Sequence, residues 1–125
     1  MTAAGPEWLA ARADDDFCYL TTYGRVTGRA HTVEIWFGVY GRAAYLLAGG
    51  GRRSDFVRNL IADHDVRLRI GDETRVAKAM VVTDPTEDAL ARRLLAGKYQ
   101  GWTAGEELSG WARSALPVAV EPADE

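Results

Sequence analysis

Two segments rich in glycine and arginine are the strongest candidates for chemistry in this sequence. Residues 24–29 read GRVTGR, and residues 49–54 read GGGRRS. Exposed backbone amides, a hydroxyl group and guanidinium groups in such loops can hold a phosphate or a carboxylate. The second segment also leads into a predicted helix, whose N-terminal amides favour an anion. A tight hairpin and a flexible helix-capping loop explain the same residues without a ligand.

A third segment, residues 98–102, reads KYQGW and is followed by Trp111. Aromatic side chains after a predicted helix can form a lid over a planar ring. The hydroxyl of Tyr99 can donate a hydrogen bond or a proton, so Tyr99 is our candidate proton donor. Packing of the same side chains into the core is an equally good explanation.

Metal sites and nucleophilic catalysis find no support in the sequence. His31 and His64 are the only histidines, and they share no ligand spacing with each other or with Cys18. The apolar neighbours of Cys18 indicate a buried thiol in a reducing compartment. His31 is better explained as a hydrogen-bonding residue of a strand or as a cofactor contact. We therefore predict no metal.

Length and charge restrict the class of protein. The 125 residues, of which 47% are hydrophobic, suit one domain with one core. The net charge of −3 argues against general nucleic-acid binding, although residues 24–62 hold six arginines and only two acidic residues. No signal peptide or apolar run of membrane-spanning length is recognisable. We expect a cytoplasmic protein without a membrane span, and its locally basic segment suits a small anionic ligand.

Hydrophobic periodicity predicts a mainly β protein (α+β) with about six antiparallel strands and flanking helices. Hairpins without repeated parallel crossovers indicate a closed or nearly closed barrel in a single domain. The predicted domain covers residues 17–121, between an N-terminal helical segment at 1–16 and a polar tail at 122–125. The predicted strands are 17–22, 30–40, 44–48, 66–70, 74–83 and 116–120. The predicted helices are 6–15, 54–61 and 84–95, with a short helical stretch between 102 and 111.

Three segments together resemble a known family. Residues 19–29 read YLTTYGRVTGR, residues 45–51 read YLLAGGG and residues 54–60 read SDFVRNL. The chain resembles the deazaflavin (coenzyme F420)-dependent nitroreductase and quinone reductase family, which belongs to the split β-barrel flavin-binding group that includes pyridoxamine-phosphate-oxidase-like proteins. The resemblance covers about residues 17–121. It implies a split β-barrel, in agreement with the strand order above.

The resemblance also implies a reaction and a site. Reduced F420 would transfer a hydride to a small organic acceptor, such as a quinone, a nitroaromatic compound or an enone. The implied substrate contacts are Tyr99, Trp102 and Trp111. The implied cofactor contacts are Gly24, Arg25, Thr27, Gly28, Arg29, Glu34, Ile35, Trp36, Gly49, Gly50, Arg52, Arg53 and Asn59.

Two alternatives remain open, and so does the oligomeric state. The wider split-barrel group also accommodates flavin mononucleotide (FMN), and a barrel that has lost turnover would be a non-catalytic cofactor or ligand carrier. A small molecule is the expected partner, and a homodimer is possible because split barrels often pair. Val26, His31 and Glu34 depart from the family pattern. A carboxylate facing an electron-rich reduced ring would be unexpected, so we expect Glu34 to turn toward substrate or solvent.

Overall fold

The computed structural model describes residues 6–123, which form seven strands and four helices. Residues 1–5 of the predicted N-terminal segment and residues 124–125 of the predicted tail lie outside the described part. The strands are β1 (Cys18–Tyr23), β2 (Ala30–Ile35), β3 (Gly38–Tyr40), β4 (Ala43–Ala48), β5 (Asp65–Ile70), β6 (Glu73–Val81) and β7 (Leu116–Pro122). The helices are α1 (Glu7–Ala11), α2 (Asp55–Ala62), α3 (Pro85–Gln100) and α4 (Gly110–Ser114).

The strands form one curled antiparallel sheet in the order β2-β1-β5-β6-β7-β4-β3. This half-barrel in a single domain confirms the predicted fold class. Alternating side chains of β5 fill its interior, since Val66, Leu68 and Ile70 are buried while the residues between them are exposed. Helix α1 adds Trp8 and Leu9 to the same core.

The sheet has seven strands because the predicted strand 30–40 is two strands. Segment β2 pairs with β1 at one edge of the sheet, whereas β3 pairs with β4 at the other. The break falls at Trp36 and Phe37. The hydroxyl of Tyr99 contacts both the amide and the carbonyl of Phe37, and Lys98 Nζ donates to that carbonyl at 2.9 Å. Helix α3 therefore takes the hydrogen bonds that would have continued the strand.

The start of α3 is confirmed at Asp84, whose carboxylate accepts a hydrogen bond from the Glu87 amide at 2.9 Å. The prediction placed its end too early. The helix passes through Gly97 and ends at Gln100, and the residue that caps it, Gly101, adopts φ +65°. Trp36 and the other apolar residues that pack with this helix outweigh the low helix propensity of Gly97.

The other helices also differ from their predicted bounds. Helix α1 ends at Ala11, because the chain turns at Arg12 and its guanidinium binds Asp72 and Glu73. Ser54 occupies the predicted N-cap of α2, but its side chain makes no capping hydrogen bond. The last helix begins only at Gly110. No helix within residues 6–123 is long and apolar enough to cross a membrane.

Candidate functional site

An aromatic cavity of about 540 Å³ opens beside the break between β2 and β3. Its volume and largely apolar lining are typical of sites that bind a small organic molecule. Three aromatic side chains and one carboxylate contribute to its wall. The lining residues are Phe17, Glu34, Ile35, Trp36, Leu47, Gly49, Gln100 and Trp111.

Trp36 is the central wall of the aromatic cavity. Its indole stacks on the ring of Tyr99 with a centroid distance of 4.3 Å and an interplanar angle of 1°. The indole of Trp111 meets Trp36 edge-on, at 5.5 Å and 90°. Both arrangements are favourable for aromatic rings, so Trp36 is held from two sides.

Tyr99 lies behind this wall and not among the residues that line the cavity. Its hydroxyl accepts a hydrogen bond from the Phe37 amide at 3.0 Å and reaches the carbonyls of Asp16 and Phe37 at 2.8 and 2.9 Å. Burial raises the pKa of the Tyr99 hydroxyl above its ordinary value. A hydroxyl that is hydrogen-bonded to the backbone and has a raised pKa suits a positioning residue better than the proton donor predicted from sequence.

Lys98 also binds the backbone near the β2–β3 break. Its Nζ donates to the carbonyls of Asp15 and Phe37 at 2.6 and 2.9 Å and lies 3.9 Å from the centroid of the Phe37 ring. Burial lowers the pKa of Lys98. The C-terminal turn of α3 thus joins the segment before β1 to the β2–β3 break.

Helix α4 places Trp111 against the cavity, and Arg92 of α3 holds that helix. Arg92 Nη1 donates to the carbonyls of Ala112 and Ala115 at 2.9 and 2.7 Å, while Nε donates to Asp88 at 2.6 Å. These carbonyls belong to the last turn of a five-residue helix, where a cation is favourable. The orientation of Trp111 therefore depends on a side chain that the sequence did not single out.

Glu34 is the carboxylate of the cavity wall. The hydroxyl of Tyr19, the facing residue on β1, donates to Glu34 Oε1 at 2.6 Å. This hydrogen bond raises the pKa of Tyr19. The guanidinium of Arg69 lies 4.0 Å from the centroid of the Tyr19 ring, so it contacts the tyrosine ring rather than the carboxylate.

A smaller cavity of about 180 Å³, here called the anion cradle, lies at the opposite end of β2. Gly28 adopts φ +74° in the tight turn that forms it, and the Gly24 amide donates to the Arg29 carbonyl at 2.7 Å. A Cβ atom at Gly24 would lie 3.3 Å from Thr27 Oγ1, a tight contact. The lining residues are Gly24, Arg25, Val26, Thr27, His31, Asp55 and Asn59.

Asn59 connects the anion cradle to the body of the protein. It is only 1% exposed, and its Oδ1 accepts from Arg25 Nη1 at 2.9 Å while its Nδ2 donates to Thr22 at 3.2 Å. Arg25 Nη2 also lies 3.6 Å from Asp55. The loop at 24–29 and the start of α2, where the second glycine-rich segment ends, are therefore adjacent.

Exposed arginines surround this junction. Arg52 and Arg53 lie in a single 3₁₀ turn, Gly51–Arg53, immediately before α2, while Arg29 and Arg58 flank the cradle in sequence. Within residues 6–123, the side chains of these four arginines form no hydrogen bond or ion pair. They are available to an anionic ligand.

Trp102 lies apart from the aromatic cavity. Its indole Nε1 donates to the Glu106 carbonyl at 2.9 Å within the loop that joins α3 to α4. It lines a neighbouring cavity of about 440 Å³, here called the loop cavity, which shares Gln100 with the aromatic cavity. The structure therefore separates Trp102 from Trp111, although the sequence had grouped them.

Sequence reasoning missed Phe17, Leu47 and Gln100 as cavity residues. Phe17 precedes β1 and is 43% exposed, an unusual environment for so large an apolar side chain. Only the pairing of β4 with β7 and the length of α3 place the other two at the cavity, and neither is readable from local sequence.

Comparison with known proteins identifies the family of this chain. Residues 9–122 match the model of the family described as F420H(2)-dependent quinone reductase. The chain belongs to this family. The match confirms the resemblance found in the sequence, whereas no curated protein matches the chain at a significant level.

Solved structures share the fold. A conserved hypothetical protein of Mycobacterium tuberculosis, Rv2991, superposes with a TM-score of 0.79 at 18% identity, covering 98% of this chain and 84% of that chain. HutZ, a heme storage protein of Vibrio cholerae, gives 0.72 at 17% identity, with 98% and 92% covered. A structure described as an F420 reductase gives 0.65 at 17% identity, with 95% and 96% covered.

Proposed function

We propose that this protein is an F420H2-dependent reductase that transfers a hydride to a small organic acceptor of the quinone, nitroaromatic or enone type. The observation that carries the proposal is the position of the aromatic cavity and the anion cradle at the two ends of one strand. Family membership supports the same cofactor. A planar ring bonded through a chain to a phosphate would occupy both cavities at once.

The dimensions of β2 suit such a cofactor. His31 lines the anion cradle, and Ile35, four residues further along and on the same face of the strand, lines the aromatic cavity. Four residues of extended chain span roughly 13 Å. A five-carbon polyol that joins a planar ring to a phosphate ester spans a comparable distance. The deazaflavin ring would then lie near Ile35 and Trp36, with its polyol along β2.

The positive charge near the anion cradle favours the same orientation of the cofactor, with its phosphate at the cradle. Arg25 lines the cradle, and Arg29, Arg52 and Arg53 lie next to it in the two glycine-rich segments. Guanidinium groups bind phosphates and carboxylates through charge-assisted hydrogen bonds. We propose these arginines as the groups that bind the phosphate and any acidic extension of the cofactor, while Gly49, which lines the aromatic cavity, would lie against the ring. Asn59 would hold Arg25 in place.

The bound cofactor would supply the hydride, and the protein would hold the cofactor ring and the acceptor in the orientation for transfer. A quinone takes up one hydride and one proton from water and becomes a hydroquinone. Trp36 and Trp111 restrict the ring and the acceptor to one orientation and exclude water, which is the main contribution a protein makes to such a reaction. Tyr99 acts by holding Trp36, so the reaction needs no protein acid.

Titration with F420 and with FMN, followed by tryptophan fluorescence, tests the proposal. Trp36 and Trp111 lie at the aromatic cavity, so a nearby absorbing ring should quench their emission. Quenching by F420, together with oxidation of F420H2 by a quinone, would support it. If neither F420 nor FMN quenches the tryptophan fluorescence, the proposed function is overturned. Stronger binding of FMN would identify the alternative cofactor, and F420 binding without turnover for any acceptor would identify a carrier.

A homodimer is also part of this proposal. The outward face of β6 exposes Val76 and Met80, which are 53% and 55% accessible. Lys78 lies between them on the same face, and we place the contact with a second copy on this mixed surface. Light scattering on the purified protein would measure the oligomeric state directly.

A further inference from the structure

The two ends of the proposed site carry opposite charge. Arg25 and Asp55 both line the anion cradle, and the exposed Arg29, Arg52, Arg53 and Arg58, which flank it in sequence, make this end basic. Among the described residues that line the aromatic cavity, Glu34 is the single ionisable one. The site is therefore polarised along β2. The acidic end lies at the β2–β3 break, away from the groups proposed to bind the phosphate of the cofactor.

The loop cavity extends the acidic end. It is lined by Glu106 and Glu107 and meets the aromatic cavity at Gln100. Hydrogen bonds from the amide and hydroxyl of Thr103 lower the pKa of Glu106, so this carboxylate is ionised at neutral pH. Neither lysine nor arginine is present among the residues that line these two cavities.

Within residues 6–123, no lysine or arginine forms an ion pair with Glu34. Arg69 stacks on the ring of Tyr19 and donates to the Gly71 carbonyl at 2.9 Å. Lys98 donates to two backbone carbonyls on the side of α3. The Tyr19 hydroxyl fixes Glu34 Oε1, and Oε2 remains available to a ligand.

Aromatic rings around a carboxylate make a good receptor for an organic cation. The rings of Trp111 and Phe17 line the same cavity as Glu34, and aromatic rings attract a positive charge, while the carboxylate adds a direct electrostatic contact. An anionic acceptor would instead be repelled by the Glu34 carboxylate, because no lysine or arginine is among the described residues that line the cavity.

We propose that the acceptor reduced by this protein carries a positive charge, as an alkylammonium or an N-alkylated heteroaromatic group, and that Glu34 selects it. This inference rests on the proposed reductase function and narrows its substrate class. Glu34 then contacts the acceptor, in place of the cofactor contact implied by the family resemblance.

Three quinones that differ in one substituent test the inference. The substituents are a trimethylammonium group, a tert-butyl group of the same shape and a carboxylate group. With F420H2 as reductant, kcat/KM should fall in the order cation, neutral, anion, with a ratio of about tenfold or more between cation and neutral compound. In Glu34→Gln that ratio should fall about tenfold, because the amide keeps the shape but loses the charge.

Two variants separate charge from structure. Tyr19→Phe removes the hydrogen bond to Glu34 but keeps the carboxylate, so the preference for the cation should largely survive. Asp65→Asn neutralises an acid that pairs with Lys78 on β6, remote from the cavity, and should leave the ratio unchanged. An equal loss of preference in Glu34→Gln and Tyr19→Phe would overturn the direct role of Glu34.

The outcomes distinguish this inference from the function on which it rests. Equal kcat/KM for the three quinones would overturn the inference while the reductase function stands. If no quinone oxidises F420H2, the reductase function fails. Binding of phenyltrimethylammonium and tert-butylbenzene, measured by tryptophan fluorescence, then decides the charge preference, and equal affinity for the two probes would overturn it.

Discussion

The ring of Tyr99 lies parallel to that of Trp36, 4.3 Å away between centroids. Two elements distant in sequence are joined by this stack, because Trp36 follows β2 and Tyr99 belongs to the last turn of α3. The Tyr99 hydroxyl continues the connection to the backbone of Phe37. One tyrosine therefore fixes both the break in the strand and the wall of the aromatic cavity.

Tyr99→Phe should separate positioning from proton donation. Phenylalanine keeps the stack on Trp36 but leaves the buried amide of Phe37 without its partner, at a cost of about 1–3 kcal/mol in the free energy of unfolding. We expect kcat to stay within about threefold of wild type, with an unchanged pH profile. Urea unfolding and pH-dependent turnover measure the two effects. A drop in kcat of a hundredfold or so at every pH, without a change in KM, would restore Tyr99 as the proton donor.

Tyr99→Leu is the matched control, since it removes the stack as well as the hydroxyl. Trp36 would lose its support, and we expect KM for the acceptor to rise while F420 affinity changes less. If Tyr99→Leu behaves like Tyr99→Phe in KM, the stack does not position the wall.

Asn59→Ala should weaken both the fold and the anion cradle. The side chain of Asn59 is buried and bridges Thr22 and Arg25, so its removal leaves polar groups unpaired and costs about 2–4 kcal/mol. Arg25 would lose its anchor, and F420 should bind more weakly in the variant that remains folded. Circular dichroism during urea titration and a cofactor titration in the absence of urea measure the two changes. Wild-type F420 affinity in Asn59→Ala would show that the anchor is irrelevant to binding.

Arg25→Ala, Arg52→Ala and Arg53→Ala should each weaken F420 binding by about 5- to 100-fold, as expected for the loss of a charge-assisted contact. The effect should shrink at high salt, because mobile ions screen exposed charges. Arg67→Ala is the control, since Arg67 contacts Tyr23 on the outward face of the sheet. Fluorescence titration at two salt concentrations checks the prediction, and unaltered affinity in all three variants would place the phosphate elsewhere.

Local sequence was sufficient for most of the strands and for the strongest helix start. Val66, Leu68 and Ile70 alternate as a half-buried strand should, and the Asp84-Pro85 pair begins α3 as predicted. The glycines of 24–29 indicated a turn, and the structure has a turn with a cavity beside it. The expectation of exposed amides there was wrong, because the amides of Gly24, Arg25, Gly28 and Arg29 form hydrogen bonds within the protein. The strands, the helix start and the turn depend on neighbours within a few residues.

Features that depend on distant contacts could not be predicted in the same way. The alternation of residues 30–40 continues through Trp36 and Phe37, so nothing local marks the break that Lys98 and Tyr99 impose. Glu34 was expected to turn away from the ring, but its hydrogen bond to Tyr19 required the register of β1 against β2. Trp102 and Trp111 separate because α3 runs on to Gln100.

Cys18 should make the protein less stable at alkaline pH. Burial raises the pKa of its thiol from 9.0 to about 12, so the native state retains a proton that the unfolded chain releases. Stability from this group is complete below pH 9 and declines as the pH rises from 9 toward 12. Cys18→Ala lacks the group, so its deficit relative to wild type should shrink between pH 8 and pH 10 in urea unfolding. A constant deficit would contradict the prediction.

Gly38 of β3 packs directly against Leu94 of α3. A Cβ atom at this position would lie 2.6 Å from Leu94 Cγ and 2.8 Å from Leu94 Cδ2, closer than carbon atoms pack. We expect Gly38→Ala to reduce the free energy of unfolding by about 1–3 kcal/mol through overpacking. Because α3 carries Lys98 and Tyr99, displacement of the helix should also loosen the wall at Trp36 and raise KM for the acceptor.

A double-mutant cycle with Leu94→Ala tests the cause. Leu94→Ala alone removes packing and destabilises the protein, but in the Gly38→Ala background it also removes the clash. The double variant should therefore be more stable than the sum of the two single effects predicts, by about 1 kcal/mol or more. Gly41→Ala, at a turn with φ +60° and no atom within 4 Å of the added Cβ, is the matched control. Its cost comes from the backbone alone, so it should show no coupling to Leu94. Strict additivity for the Gly38 and Leu94 pair would mean that the helix moves aside freely and that α3 does not fix the cavity wall.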